Sequence, residues 1–118
     1  MAMTIDGTNG LTFPNSTTQT SGGVPARAWL NYNSSATTIT GSYNVSSVTY
    51  NSTGLWTINF TTAMPDTLYC VVSAASYVGG TGSPSLMPQT LNTTSLVMNL
   101  GYGTGNYNTG VNCVAVFR

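Results

Sequence analysis

Acid–base, nucleophilic or metal chemistry in this chain would fall to two carboxylates, Asp6 and Asp66, and two thiols, Cys70 and Cys113. Arg27 and Arg118 are the only other formally charged side chains, and histidine is absent. Hydrolysis near neutral pH needs titratable groups in close pairs. One carboxylate lies in the N-terminal segment and the other in the turn Met64-Pro65-Asp66, where proline fixes φ and aspartate bonds back to the local backbone. Asp66 is therefore expected to form that turn. A Ser-His-Asp triad is impossible, and a zinc site would lack its usual nitrogen ligand. No catalytic residue, metal site or cofactor is expected. The cysteines fit no Cys-x-x-Cys spacing and sit in the apolar stretches Leu68–Val72 and Val111–Ala115. Two buried, reduced thiols packed as small hydrophobes are expected; a cross-strand disulfide is the alternative.

Uncharged side chains offer a different chemistry, that of contact. The stretch from Gly101 to Gly110 alternates glycine with Tyr102, Asn106, Tyr107 and Asn108. Tyrosines there could stack on a sugar face while amides bond its hydroxyls. The structural alternative is a hairpin loop whose tyrosines cover a neighbouring subunit. Tyr77, beside Gly79-Gly80-Thr81-Gly82, carries the same pair of readings. Arg27 and Trp29 lie two apart on one expected strand, so they share a face. With Arg118, which follows the last strand, they are candidates for a subunit boundary. Asn-X-Ser/Thr triplets begin at Asn15, Asn33, Asn44, Asn51, Asn59 and Asn92. A chain this rich in Asn, Ser and Thr produces such triplets by chance.

The elements that must position these residues read as strands throughout. Candidates are Arg27–Asn33, Thr37–Gly41, Val45–Tyr50, Leu55–Thr62, Thr67–Ala75, Ser85–Met87, Thr94–Leu100 and Val111–Phe117. Each is short, rich in β-branched and aromatic residues, and bounded by Gly, Pro, Asn or Ser. No window carries a capped helical period of more than ten residues. Such spacing predicts an all-β domain, a small β-sandwich of jelly-roll-like kind over residues 25–118. The clearest unit is the hairpin of Val45–Thr62, turning at Asn51-Ser52-Thr53-Gly54, with Trp56, Ile58 and Phe60 on one face. Those three, with Trp29, are expected to hold the core.

Residues 1–24 differ. Ile5, Leu11 and Phe13 flank a glycine-rich turn, and Pro14 to Gly23 has no aliphatic side chain. Two very short strands do not bury themselves in water. This arm is expected to dock elsewhere through Ile5, Leu11 and Phe13.

Composition bounds the partners. Only 3% of the 118 residues are charged and the formal net charge is zero, against about a quarter in an ordinary soluble domain. Two isolated arginines supply no phosphate-binding patch, so nucleic acid is not an expected partner. No apolar run reaches the roughly 18 residues of a membrane helix, and no membrane insertion is expected. The start Met-Ala-Met-Thr-Ile-Asp lacks the basic and apolar stretches of a secretion signal, so assembly in a cytoplasm is expected. A surface without net charge invites self-association.

Several stretches resemble modules of tailed-bacteriophage fibre and head-decoration proteins. These are Ile5–Pro14 with Thr17-Thr18-Gln19-Thr20, Ala28-Trp29-Leu30-Asn31-Tyr32-Asn33, Asn44–Val48, Thr57–Asp66, and Val114–Arg118, in the order the family keeps. The resemblance covers both ends and the first half of the body. It implies a homotrimeric knob on a virion, with phage capsid protein as partner. It identifies no binding residue. The chain departs from the family at Tyr50 and Leu55-Trp56, where the hairpin tip is usually more polar, and Ser76 to Gly110 aligns with nothing in it. The two dozen residues ahead of the knob suit a capsid decoration or head-fibre role better than a tail-fibre shaft. The alternative is a receptor-binding tip that recognises host surface glycans through Tyr77, Tyr102, Asn106 and Tyr107.

Overall fold

The structure is a computed structural model describing residues 4–6, 10–12, 18–19, 26–76, 84–103 and 105–118. Three short strands, β1 (Thr4–Asp6), β2 (Gly10–Thr12) and β3 (Thr18–Gln19), form an antiparallel sheet in which Ile5 is registered with Leu11. The arm thus contains one more strand than the glycine turn alone suggested. Phe13 lies outside the described residues.

The body is a β-sandwich. One sheet runs β5 (Thr38–Tyr43), β4 (Ala26–Asn33), β12 (Asn112–Phe117), β8 (Cys70–Ala75). The other runs β6 (Val45–Ser52), β7 (Leu55–Phe60), β10 (Ser95–Tyr102), β9 (Ser85–Leu91), with the two-residue β11 (Gly105–Asn106) also on β10. All pairings are antiparallel, and among the described residues there is no helix. Eight long strands divided four and four is the complement of a jelly-roll-like sandwich. The order here keeps the hairpins β4–β5, β6–β7 and β9–β10 each within one sheet.

Period-two alternation decides which side chains meet between the sheets. Ala28, Leu30, Tyr32, Val114 and Val116 face inward from one sheet. Trp56, Ile58, Phe60, Leu86, Leu96, Met98 and Leu100 face them from the other. Each large side chain so buried contributes roughly 1.5–3 kcal/mol. Trp56 tilts against Tyr32 with ring centroids 4.9 Å apart, and its indole Nε1 is buried without a partner among the described residues. The expectation for Trp56, Ile58 and Phe60 holds. Trp29 is different: it is 44% exposed, on the outer face of β4, and holds no core.

The connections explain where strands stop. Asn44, at φ 55°, carries the chain from one sheet to the other. Its side chain donates to the carbonyls of Arg27 and Thr62 at 3.0 Å each and accepts from the Thr62 N–H at 2.7 Å. Asp66 Oδ1 accepts from the Leu68 N–H at 2.8 Å, the turn expected of it. That turn delays β8 to Cys70 rather than Thr67 and leaves Leu68 76% exposed. Tyr69 is buried edge-on against Phe60, its hydroxyl donating to the Asn92 carbonyl at 3.0 Å. The hairpin β6–β7 turns on Thr53-Gly54 alone, tighter than the four-residue loop expected, because Gly54 takes φ 68°.

Candidate interaction surfaces

The two outer faces of the sandwich differ in chemistry. On the β6–β7–β10–β9 side the β6–β7 half is a mesh of hydroxyls and amides, while Leu55, Val97 and Met87 place apolar groups toward β10 and β9. Asn59 Nδ2 donates to Ser47 Oγ and Thr49 Oγ1 at 3.0 and 3.1 Å, and Asn51 Nδ2 to Thr57 Oγ1 at 2.8 Å. Such a mesh satisfies itself and hydrates readily.

The opposite face is apolar. Register places Tyr43, Trp29, Ala115 and Val72 in one row across all four strands, and Gly41, Asn31, Cys113 and Ala74 in the row beside it. Tyr43 is 58% exposed and Val72 57%. A Cβ placed on Gly41 would lie 3.2 Å from the Trp29 ring, so the indole leans across the glycine. A shallow groove of about 370 Å³ crosses this face between Trp29, Val72, Ala74 and Cys113.

Both cysteines point out here, exposed and unbonded. This corrects the expectation of buried thiols. The alternation in β8 and β12 turns Val71, Ser73, Val114 and Val116 inward, and Cys70 and Cys113 outward. A disulfide between them is excluded as well. Cys113 is registered with Ala74, four residues along β8 from Cys70, a separation of about 13 Å against the roughly 7 Å a bridge tolerates.

The three boundary candidates lie at one end of this face. Arg27 Nε donates to the main-chain oxygen of Arg118 at 2.9 Å. The Arg118 guanidinium grips Asp66 with both prongs, Nε to Oδ1 at 2.8 Å and Nη2 to Oδ2 at 2.6 Å. The hydrogen bonds from Arg118 and the Leu68 N–H hold the Asp66 carboxyl below its ordinary value of 3.8. Both side chains are well solvated, so the pair orders the chain end more than it stabilises the fold. Trp29 shares the outer face with Arg27, as its spacing required. Arg27 borders an open groove of about 470 Å³ with Tyr43, Asn44, Met64 and Pro65.

The Gly/Tyr stretch is only partly a loop. Gly101 and Tyr102 continue β10, and β11 folds back on them. Tyr102 and Asn106 are exposed and border a groove of about 300 Å³ with Ser85, Met87 and Asn99. Tyr107 does not join them. A Cβ on Gly105 would lie 2.9 Å from its hydroxyl, so the half-buried ring folds back over the glycine. Tyr77 lies outside the described residues.

Alternation did not reveal what fixes this loop to the body. Ser34, Thr109 and Asn112 are buried to within 3% and bond one another. Asn112 Nδ2 donates to the Tyr32 carbonyl at 2.9 Å and to Ser34 Oγ at 3.1 Å, while its Oδ1 accepts from Thr109 Oγ1 at 2.8 Å. The signal was present, since Asn112 stands at an inward position of an otherwise apolar strand.

Among the described residues no three His, Cys, Asp or Glu side chains come together, and no helix is long and apolar enough to cross a membrane. No family model, curated protein or solved structure matches the chain.

Proposed function

We propose that this chain is a phage virion structural protein: a capsid decoration or head-fibre knob, cement-like in role, held by its N-terminal arm. The knob assembles as a homotrimer in the host cytoplasm before it joins the capsid surface. Its work is binding, without catalysis, cofactor or nucleic acid.

One observation carries the assembly half of this reading. The sheet β5–β4–β12–β8 is apolar on its inner face and carries an apolar row on its outer face as well, where an antiparallel sheet ordinarily turns polar side chains to water. A row of Tyr43, Trp29, Ala115 and Val72 left to water is the sort of patch that marks a contact surface. The occupant that fits is another copy of the chain. The row bears no charge, and the formal net charge is zero, so like copies approach without repulsion. Arg27, Trp29 and Arg118 then lie at or beside the subunit boundary. The virion half rests on the resemblance of Ile5–Pro14, Ala28–Asn33 and Thr57–Asp66 to phage modules.

The test is rebinding. Purified protein added to capsids that lack it should attach, and removal of residues 1–24 or replacement of Ile5 and Leu11 by Asp should abolish attachment. Unchanged binding by the shortened protein would refute the anchoring role.

The groove bordered by Tyr102 and Asn106 favours a second reading, a receptor-binding tip for host glycans. An exposed ring beside the Asn99 and Asn106 amides has the donors and stacking face a sugar needs. Binding to host cell-surface glycans that Tyr102→Ala abolishes would establish it; no binding across susceptible hosts would dismiss it.

A further inference from the structure

Four of the eight long strands lie at the edges of the two sandwich sheets, and three of them are blunted. β5 is paired with a register slip at Thr40, between Gly41 and Ile39. β6 slips twice, at Ser46 and Asn51. β9 slips at Gln89 and carries Pro88, which has no N–H to offer. Bulges and prolines of this kind prevent a sheet edge from pairing with another chain. β8 has none of them. Its six residues, Cys70 to Ala75, run in unbroken register with Asn112–Phe117, carry no charge and include no proline. No backbone hydrogen bond joins its free side to another described residue.

We propose that β8 is a self-pairing edge, at which a second copy of this chain adds its own β8 antiparallel and continues the sheet. Antiparallel partners directly opposite must point to the same face, so a two-fold register pairs outward residues with outward residues. Centred on Val72, it sets Val72 against Val72 of the second copy and Cys70 against the second copy's Ala74. The apolar row Tyr43–Trp29–Ala115–Val72 would then run on through its own mirror sequence, eight residues long. No charge opposes the approach, since Asp66, Arg27 and Arg118 all lie outside β8.

The contact is two-fold, so it cannot close a trimer. It links one knob to another and stands whether or not the virion reading holds. Five residue pairs bury less than the roughly 1,200 Å² of a standard stable interface. The pairing is therefore weak in dilute solution and dependent on concentration.

The test is a cysteine cross-link. Val72→Cys in a Cys70→Ser, Cys113→Ser background is oxidised with copper phenanthroline and run on a non-reducing denaturing gel, which reports covalent pairs whatever the number of subunits. Paired strands hold opposite Cβ atoms about 4.5–5.5 Å apart, and most of the protein should run at twice the monomer mass. Ser47→Cys in the same background, on the opposite outer face, should remain monomeric. Equal cross-linking at both positions, or none at Cys-substituted Val72 up to millimolar concentration, would overturn the proposal. Sedimentation supplies a second reading: Val72→Lys, on the free edge, should remove the doubled species from concentrated protein, while Trp29→Lys, in the same row on an interior strand, should leave it. Its persistence in a folded Val72→Lys variant would also overturn the pairing.

Discussion

Asn112→Ala measures what holds the Gly/Tyr loop to the sandwich. The side chain is fully buried and makes well-formed bonds to the Tyr32 carbonyl, Ser34 Oγ and Thr109 Oγ1 at 2.9, 3.1 and 2.8 Å. Three neutral bonds at about 1 kcal/mol each give a loss of about 3 kcal/mol, with the orphaned carbonyl and hydroxyls adding to it. For a domain of this size that lowers Tm by about 12–24 °C. The loss should be cooperative with Ser34, whose Oγ also accepts from the Thr109 N–H at 2.9 Å. Thermal denaturation followed by circular dichroism, on Ser34→Ala, Asn112→Ala and the double variant, gives the coupling directly. A coupling of about 1 kcal/mol is expected. A single-variant loss below about 1 kcal/mol, or strictly additive effects, would refute the reasoning that this network is a unit.

Gly54→Ala should cost about 3 kcal/mol or more, since a Cβ at φ 68° would press on the Leu100 carbonyl and lie 2.8 Å from the Tyr107 amide nitrogen; an unchanged denaturation midpoint would contradict the turn geometry. Thr37→Gly should stabilise by up to about 1 kcal/mol, because a β-branched residue is held at φ 54°; a lower Tm in the variant would show that no strain resides there. Stability should be flat between about pH 5 and 9, there being no histidine to titrate. On the acid side Asp66 titrates below its ordinary 3.8, so its contribution is complete above that value and lost as pH falls through the lowered one. On the alkaline side burial raises Tyr32 and Tyr69 above their ordinary 10.0, so stability is complete below pH 10 and falls as pH rises through the raised values. A denaturation midpoint that changes between pH 6 and 8 would contradict this.

Much of the fold was legible because its strands alternate cleanly. Trp56, Ile58 and Phe60 share a face and are separated only by the polar Thr57 and Asn59, so only one burial was possible. The same rule failed for Leu68–Ala75 and Val111–Phe117, where both faces are apolar and periodicity cannot choose between them. Cys70 and Cys113 were consequently expected inside and are outside. Trp29 misled for a related reason: size and hydrophobicity suggested core, while its neighbours Ala28 and Leu30 took the inward positions. The strand expected over Ser85–Met87 runs on to Leu91, because an edge strand tolerates Pro88 and a slip at Gln89 absorbs the extra residue. Of the contact residues, Tyr102 and Asn106 border one groove, whereas Tyr107 lies back over Gly105. Loop direction of that kind depends on backbone angles that residue types alone do not specify.

The central claim is that this neutral sandwich works by being held on a particle surface, with its apolar face against other copies of itself. Electron cryo-microscopy of particles from a phage culture that produces the chain, as the proposed virion role requires, tests this most directly. The account predicts knob density on the capsid, three copies around each attachment point, with the sheet carrying Trp29 and Val72 turned toward neighbouring copies. Density at the tail tip, or isolated single knobs with that sheet facing solvent, would contradict it.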